Sequence, residues 1–200
     1  MQWRPLFLAL LAAAALWQGY ASWRLRPVHP SDGAIAPDEP RQTDVEAAPV
    51  TTLGRWRLTP RAHYEVTARI LGREDYHFDQ LADLIPEDLA LGWGPMSDNR
   101  VLRTLEITQA ARFYSWMPRQ TLPIPRQAVI EHSANTHVIP ADALVAAELR
   151  RLRVGQVVHL SGYLVSGVRD DGAYINTSLT RSDSGPGSCE VMLVEEVEAR

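Results

Sequence analysis

The sequence predicts an α+β domain that is mainly β, and three observations support this fold class. Four segments after residue 55 alternate apolar and polar side chains with a period of two, as half-buried strands do. One segment, residues 141–152, repeats apolar side chains with the period of an α-helix. The apolar fraction of 46% and the charged fraction of 22% over 200 residues are typical of a folded globular chain.

The N-terminal segment predicts a membrane-spanning helix. Residues 5–23 are nineteen consecutive residues without a charge, and about 20 such residues span a bilayer as a helix. Trp17, Tyr20 and Trp23 stand at the far end, and their amphipathic rings favour a membrane interface. We therefore expect residues 1–26 to form a signal anchor that crosses the bacterial inner membrane once. A cleaved signal peptide is the alternative.

Residues 27–54 are predicted to form a disordered linker. They are rich in Pro, Ala and acidic residues and have no apolar period, so they bury too little surface to offset the entropy of ordering. Such linkers are common on the periplasmic side of bacterial membranes. We therefore expect a globular domain over residues 55–200 and place it in the periplasm.

The predicted strands lie within this domain. Residues 63–71 and 155–165 alternate apolar and polar side chains. Gly162, in the second of these segments, indicates a bend or a close backbone approach. Residues 173–180 and 188–197 are two further predicted strands. Turn-forming residues rich in Asp, Ser and Gly separate the last three strands from one another.

Two predicted helices interrupt the strands. Residues 141–152 follow a proline, as helices often do, and place Leu144, Val145 and Leu149 on one stripe. Residues 86–92 open with a proline and two acidic residues and close with a glycine, a pattern that predicts a short helix. We expect this second helix to pack as a lid.

The order of these elements resembles a known architecture. Five or six short strands with a helix inserted between consecutive strands, and a strand that bends at Gly162, resemble a small OB-like Greek-key barrel. Barrels of this type leave one face and its loops for ligands. The alternative is an open α+β sheet with one covering helix, which periodicity alone does not distinguish from the barrel.

Composition excludes several classes of function. All 20 basic residues are Arg, so mechanisms that need a Schiff-base or general-base lysine are excluded. The formal net charge is -4 without an Arg-rich tract, so nucleic acid is not an expected partner. Cys189 is the single cysteine, which excludes an internal disulfide. It shares strand parity with Val191 and Leu193, which predicts a buried small apolar residue.

The segment EHSANTHVIPA, residues 131–141, carries the main candidate site. His132 and His137 are five residues apart, so on a regular strand they point to opposite faces and share a metal only if the chain turns between them. No third ligand has a suitable spacing, so we expect no metal and no cofactor. One interpretation is that these polar side chains satisfy backbone groups between a strand and the next helix. The other is a polar strand that faces a ligand.

Two aromatic segments extend the candidate site. Trp93 lies between two glycines in LGWGPMSD, which permits either a loop that presents the indole to a partner or a plug over the barrel. Arg112 and Tyr114 belong to RFYSWMPR, which suits an anion or a sugar face, although a core strand end explains it equally well. No catalytic residue is assigned. The candidate ligand-binding residues are His132, Asn135, His137, Trp93, Arg112 and Tyr114.

Four segments of the chain resemble a set of uncharacterised, membrane-anchored bacterial proteins. These segments are GWGPMSD, HSANTHVIPA, VGQVVHLSGYLV and SCEVMLVEEV. The resemblance covers residues 55–197. It implies a location in the bacterial envelope and implies no activity, cofactor or site residue.

The sequence favours binding over catalysis as the function. We expect a membrane-anchored envelope protein whose soluble domain binds a small ligand, a glycan or an envelope protein, with the membrane contacted through the N-terminal helix. The alternative is a metal-dependent or other hydrolase that uses His132 and His137, with Asn135 as a further member of the site.

Overall fold

The computed structural model describes residues 3–45, 48–183, 185 and 187–200. Its helices are α1 (Arg4–Arg24), α2 (Asn99–Leu102), α3 (Arg126–Glu131) and α4 (Ala143–Leu149), with a 3₁₀ helix at Gly94–Ser97. Its strands are β1 (Arg41–Asp44), β2 (Thr51–Leu53), β3 (Trp56–Asp75), β4 (Glu87–Gly92), β5 (Leu105–Ala110), β6 (Phe113–Pro118), β7 (Ser133–Pro140), β8 (Val157–Arg169), β9 (Tyr174–Ile175) and β10 (Glu190–Ala199). The fold is mixed α+β, mostly sheet with few helices, which confirms the predicted class.

Five of these strands pair in a closed cycle. β3 pairs with β4, β4 with β7, β7 with β10, β10 with β8, and β8 again with β3. The β7–β10 pair is parallel and the other pairs are antiparallel. Buried apolar side chains from all five strands form one cluster. Helix α4 lies in the connection from β7 to β8, and its Val145 and Leu149 belong to this cluster, whereas Leu144, predicted on the same stripe, is exposed.

β3 is long enough to pair with two neighbours in succession. It has 20 residues, of which the first part pairs with β8 and the last part with β4. The register shifts between Pro60 and Ala62 and again between Ile70 and Gly72, and such irregularities bend a strand and increase its twist. The strand predicted over residues 63–71 lies within β3.

Gly162 lies where β8 passes closest to β10. Its φ is +156°, and a Cβ atom at this position would collide with the backbone carbonyl oxygen of Leu193. The register between β8 and β10 shifts at the same level, between Val194 and Glu196. The close backbone approach predicted from a glycine inside a strand is therefore confirmed.

The helix predicted over residues 86–92 is wrong, because this segment forms strand β4. Every residue of β4 is buried. Leu89 and Leu91 belong to the apolar cluster of the cycle, whereas Ala90 packs in a second cluster on the opposite side, together with residues of β5 and β6. A strand that is buried on both faces lacks the alternation that identifies a strand in a sequence.

The N-terminal segment forms the helix α1, but the structure corrects its predicted role. Among the residues that the structure describes, no helix is long and apolar enough to cross a membrane. The strongly apolar run, residues 6–16, gives only about 16 Å of helix, whereas the hydrocarbon core of a bilayer is about 30 Å thick. Gln18 and Gly19 follow and lower the hydropathy. The expected single-pass signal anchor in the inner membrane, and the periplasmic location inferred from it, are wrong.

The segment predicted as a linker, residues 27–54, contributes two strands to the sheet. β1 and β2 both pair with β3. Ala36 is 1% exposed, and its N–H donates to Ser97 Oγ at 3.1 Å. Glu39 accepts a hydrogen bond from Trp93 Nε1 at 3.0 Å. Composition does not indicate these contacts, because backbone groups and single side chains make them rather than an apolar repeat.

Candidate functional site

Three neighbouring strand positions place polar side chains on the outer face of the cycle. The register sets Asp88 of β4 opposite His137 of β7. It also sets Val191 of β10 beside His137. Leu89, Val138 and Met192 belong to the inner apolar cluster. Alternate residues of a strand point to opposite faces. The outer face therefore carries Asp88, Asn135, His137 and Cys189.

Asp88 is the centre of this group. Its side chain is 0% exposed. Oδ1 lies 2.8 Å from His137 Nδ1 and 3.5 Å from Arg112 Nη1. Oδ2 accepts a hydrogen bond from Asn135 Nδ2 at 3.4 Å. The carboxylate is therefore sealed from water and surrounded by three donor side chains, which is how a buried charge is kept in a folded protein.

Cys189 is the neighbour of both His137 and Asn135. Cys189 is one of the groups that raise the pKa of His137, and Asn135 Nδ2 lies 3.7 Å from Sγ. Cys189 is half-buried, and the His137 side chain is 14% exposed. The group therefore reaches solvent through the thiol and the imidazole, while the carboxylate behind them is closed off.

The turn between β5 and β6 closes one side of the site. Ala111 and Arg112 have positive φ values of 51° and 67°, a conformation that costs energy for residues other than glycine. The Arg112 backbone carbonyl accepts a hydrogen bond from Asn135 Nδ2 at 3.1 Å, and Gln109 Nε2 donates to Asn135 Oδ1 at 2.9 Å. These bonds fix the Asn135 amide beside the thiol.

The Arg112 guanidinium is held against the site by its other contacts. It lies over the Tyr76 ring at 4.1 Å, donates twice to Asp79, and donates to the Ile85 carbonyl at 3.1 Å. Its buried Nη1 is without a hydrogen-bond partner within the part of the chain that the structure describes. The loop between β3 and β4 therefore anchors Arg112 and keeps its Nη1 within ion-pair distance of Asp88, 3.5 Å from Oδ1.

The pKa of His137 follows from these contacts. Burial disfavours the charged imidazolium, but hydrogen bonds to Asp88 and Cys189, together with their negative charge, outweigh burial and raise the pKa of His137 to about 9. The imidazole is therefore protonated at neutral pH. A protonated imidazole beside a thiol stabilises the thiolate, which is the nucleophilic form.

The raised pKa of His137 predicts a pH dependence of stability. A raised folded-state pKa adds stability below the ordinary value of 6.5, and this stability is lost as the pH rises through about 9. The unfolding free energy should fall over this interval by about 3 kcal/mol. Urea unfolding at pH values on either side of the interval measures the loss. Glu190, whose pKa burial raises to about 8, contributes in the same direction.

Comparison with His137→Gln isolates the contribution of His137. The variant keeps Glu190, so it should lose less stability over the same interval than the natural chain does. Equal losses in the two proteins would show that His137 does not bind its proton more tightly in the folded state.

The remaining predicted site residues lie elsewhere. His132 donates through Nδ1 to the Ala128 carbonyl at 2.8 Å, and its Nε2 is 3.1 Å from Glu39 Oε1. Trp93 is 1% exposed and bonds to the same carboxylate, which agrees with the plug interpretation of its sequence. Tyr114 Oη donates to Ser133 Oγ at 3.3 Å. The structure thus brings together Asn135, His137 and Arg112, whereas His132 and Trp93 form a second group around Glu39.

The segment that carries both histidines is only partly extended. α3 ends at Glu131, and β7 begins at Ser133. His132 therefore lies at the end of a helix, five residues before His137 on the strand, and each imidazole binds a different carboxylate. Within the described ranges, no cluster of three or more His, Cys, Asp and Glu side chains has a geometry that would hold a metal ion.

Sequence reasoning missed two members of the site, Asp88 and Cys189. Asp88 lies in the segment that was predicted to be a helix. Val191 and Leu193 are buried, but Cys189, which is predicted to be buried with them, is only half-buried and lies beside a polar side chain. The same face of the sheet also carries His137 of β7, which pairs with Val191 of β10. The signal in the sequence that could indicate the site is a lone cysteine on a predicted strand together with a histidine on the polar strand segment.

Comparisons of the chain with protein-family models, with curated proteins and with solved structures find no match. The function is therefore argued from the chemistry of the site itself.

Proposed function

We propose that Cys189, His137 and Asp88 form a nucleophilic site that transfers or hydrolyses an acyl group through a thioester on Cys189. One observation carries the proposal: His137 Nδ1 lies 2.8 Å from the buried Asp88 carboxylate, and Cys189 neighbours the same imidazole closely enough to raise its pKa. The same order of nucleophile, base and orienting acid recurs on unrelated folds that perform acyl transfer. This extends the hydrolase alternative for His137 and replaces His132 by Cys189 as its partner.

The roles of the three side chains follow from their contacts. Asp88 holds the Nδ1 side of the imidazole, which leaves Nε2 to exchange a proton at the thiol. Because Asp88 is fully buried and bound by Arg112 as well, it stays in place as an anion behind the imidazolium. Asn135 Nδ2 lies beside Sγ, and its hydrogen bonds to Asp88 and to the Arg112 carbonyl hold the amide next to the sulfur.

In the proposed reaction the attacking form of Cys189 is its thiolate, and His137 takes part as an imidazolium. The sulfur attacks the carbonyl carbon of an ester, a thioester or an amide, and an electron pair moves to the carbonyl oxygen. As the carbonyl re-forms, the bond to the leaving group breaks and His137 Nε2 gives its proton to that group. A thioester on Cys189 and a neutral imidazole remain. His137 then takes a proton from water, whose oxygen attacks the thioester and releases the carboxylic acid and the thiolate.

The strand order supports placing the substrate on this face. We propose that the five-strand cycle is an OB-like barrel, because its third and fifth strands, β7 and β10, are parallel and α4 lies between the third and fourth strands. Barrels of this type bind ligands on the face of the second and third strands and on the adjoining loops. Here these strands are β4 and β7, which carry Asp88, Asn135 and His137.

The same strand order favours a second candidate function, which is the binding of a small ligand without catalysis. In that case the polar group on β4 and β7 recognises the ligand, and Cys189 is a half-buried neighbour of it. A covalent intermediate distinguishes the two functions, because a binding domain forms none.

The proposal predicts rapid acylation of Cys189. The chain has 1 cysteine, so the intact mass after incubation with p-nitrophenyl acetate reports this site without interference from another thiol. We expect one acetyl group per chain and a burst of p-nitrophenol. The variant Cys189→Ala should abolish both signals, and His137→Gln should slow acylation about a hundredfold or more, because a positioned general acid-base group contributes about that factor.

His159→Gln is the matched control. His159 is a partly buried histidine on β8 whose Nδ1 is hydrogen-bonded to Thr67 Oγ1 at 3.0 Å, and it lies outside the site. Its substitution should leave the rate of acylation unchanged. An acylation rate that is the same in His137→Gln and in the natural chain would overturn the proposal, as would acetylation at residues other than Cys189 alone.

A further inference from the structure

A second, separate cleft lies where the end of α1 meets the end of α4. Its volume is about 1200 Å³, somewhat above the range of about 300 to 1,000 Å³ that is usual for ligand pockets. Its charged lining consists of Arg24, Arg26, Arg150, Arg151, Arg153 and a single acid, Glu148. Trp17 and Trp23 border the same cleft, and they are 74% and 59% exposed.

The contacts of the chain after α1 explain why these arginines meet. The Val28 N–H donates to the Val154 carbonyl at 2.8 Å. Gly155 has a φ of +91°, and a Cβ atom there would collide with the Val28 carbonyl oxygen. The segment after α1 therefore docks directly on the loop after α4. This contact brings Arg26 and Arg153 to one cleft although they are distant along the chain.

The positive charge of the cleft exceeds what its surroundings balance. In the described part of the chain, none of the five arginines takes part in an ion pair. The C-terminus of a helix carries about half a negative charge, so two helix ends and Glu148 together leave an excess of about three positive charges. Cations at helix ends are common, but an excess of this size means that the arginines of the cleft repel one another, and a bound anion would reduce this repulsion.

We propose that this cleft binds a ligand that carries a chain of phosphates. The arginine fork matches phosphate oxygens bidentately, and several forks around one cleft select a multiply charged anion over a single carboxylate. The exposed indoles of Trp17 and Trp23 offer flat surfaces on which an aromatic base stacks. Two sources share this chemistry, namely inorganic polyphosphate and nucleoside triphosphates. The proposal is independent of the site at Cys189.

Titration calorimetry of the full chain with tripolyphosphate, ATP and adenosine tests the proposal. We expect tripolyphosphate and ATP to bind and adenosine not to bind. Because the attraction is electrostatic and the arginines are near the surface, raising the salt from about 0.1 M to about 1 M should weaken binding at least tenfold. ATP that binds tighter than tripolyphosphate identifies a nucleotide site, and equal affinity identifies a polyphosphate site.

The double variant Arg150→Gln/Arg151→Gln should weaken the binding of tripolyphosphate at least tenfold. Its matched control is Arg55→Gln/Arg119→Gln, which removes two exposed arginines that lie outside the cleft. Circular dichroism and the unfolding midpoint establish that both variants are folded. Absence of binding for tripolyphosphate and ATP, or an equal loss of affinity in the two double variants, would overturn the proposal.

Discussion

Replacement of Asp88 by alanine is expected to lower the free energy of unfolding by about 3 to 5 kcal/mol, the range for removal of one partner from a buried ion pair. Asp88 is 0% exposed and is the carboxylate that faces both the His137 imidazolium and Arg112 Nη1. Without it, Arg112 loses its buried counter-charge, His137 loses the carboxylate that keeps its imidazole protonated, and the Asn135 amide loses an acceptor. Unfolding in urea, followed by circular dichroism, measures the loss.

Two further variants show whether the effect comes from burial of the charge. Asp170→Ala removes an acid that also pairs with an arginine, Arg55, but both side chains are more than half exposed. It should leave the unfolding free energy unchanged within error, because solvent screens surface pairs. Asp88→Asn keeps the size of the side chain and removes its charge, so its loss should fall between the other two. A loss for Asp88→Ala no larger than that for Asp170→Ala would contradict the assignment of a buried ionic centre.

Replacement of Gly162 by alanine is the second change with a large expected effect. The new Cβ atom would meet the backbone carbonyl oxygen of Leu193 and approach the Glu195 backbone nitrogen at 3.1 Å. A backbone atom in a paired strand moves only if the strand moves, so the β8–β10 pairing must open locally. Overpacking of this kind, added to an unfavourable φ, should cost about 3 kcal/mol.

Gly172→Ala separates the collision from the cost of the backbone conformation. Gly172 has a φ of +88°, and a Cβ atom there would have no neighbour within 4 Å. Its substitution therefore carries only the conformational cost, which is about 1 kcal/mol. Equal losses for Gly162→Ala and Gly172→Ala, measured by the same urea unfolding, would show that β8 and β10 do not approach as closely as the structure indicates.

The large effect at Asp88 bears on the proposed chemistry as well as on stability. If Asp88→Asn folds but acylates Cys189 slowly, Asp88 acts by positioning His137. Rescue of the rate by Asp88→Glu, with a fold intact by circular dichroism, would agree with this role, because only a carboxylate stabilises the imidazolium. Normal acylation in Asp88→Asn would leave Cys189 and His137 as a pair that needs no third member.

Several elements are predictable from the sequence because their residues signal their own environment. Period-two alternation located β3 and β8, the apolar stripe located α4, and the glycine at position 162 indicated the close approach of two strands. Local rules also selected Asn135, His137 and Arg112 as candidate site residues. Each of these inferences depends on residues that are neighbours along the chain, where propensity and periodicity act directly.

Which of these residues lie together in one site depends on the pairing of distant strands. His137 and Asp88 are separated by 49 positions, and Asn135 and Cys189 by 54, so strand pairing and not local pattern makes them neighbours. The pattern of residues 86–92 predicts a helix, but the segment forms β4. Both faces of this strand are covered by distant parts of the chain, so it lacks the alternation of apolar and polar residues that identifies a strand. The environment of a side chain on a paired strand is set by the register of its neighbours, and that register comes from non-local contacts that a single sequence does not display.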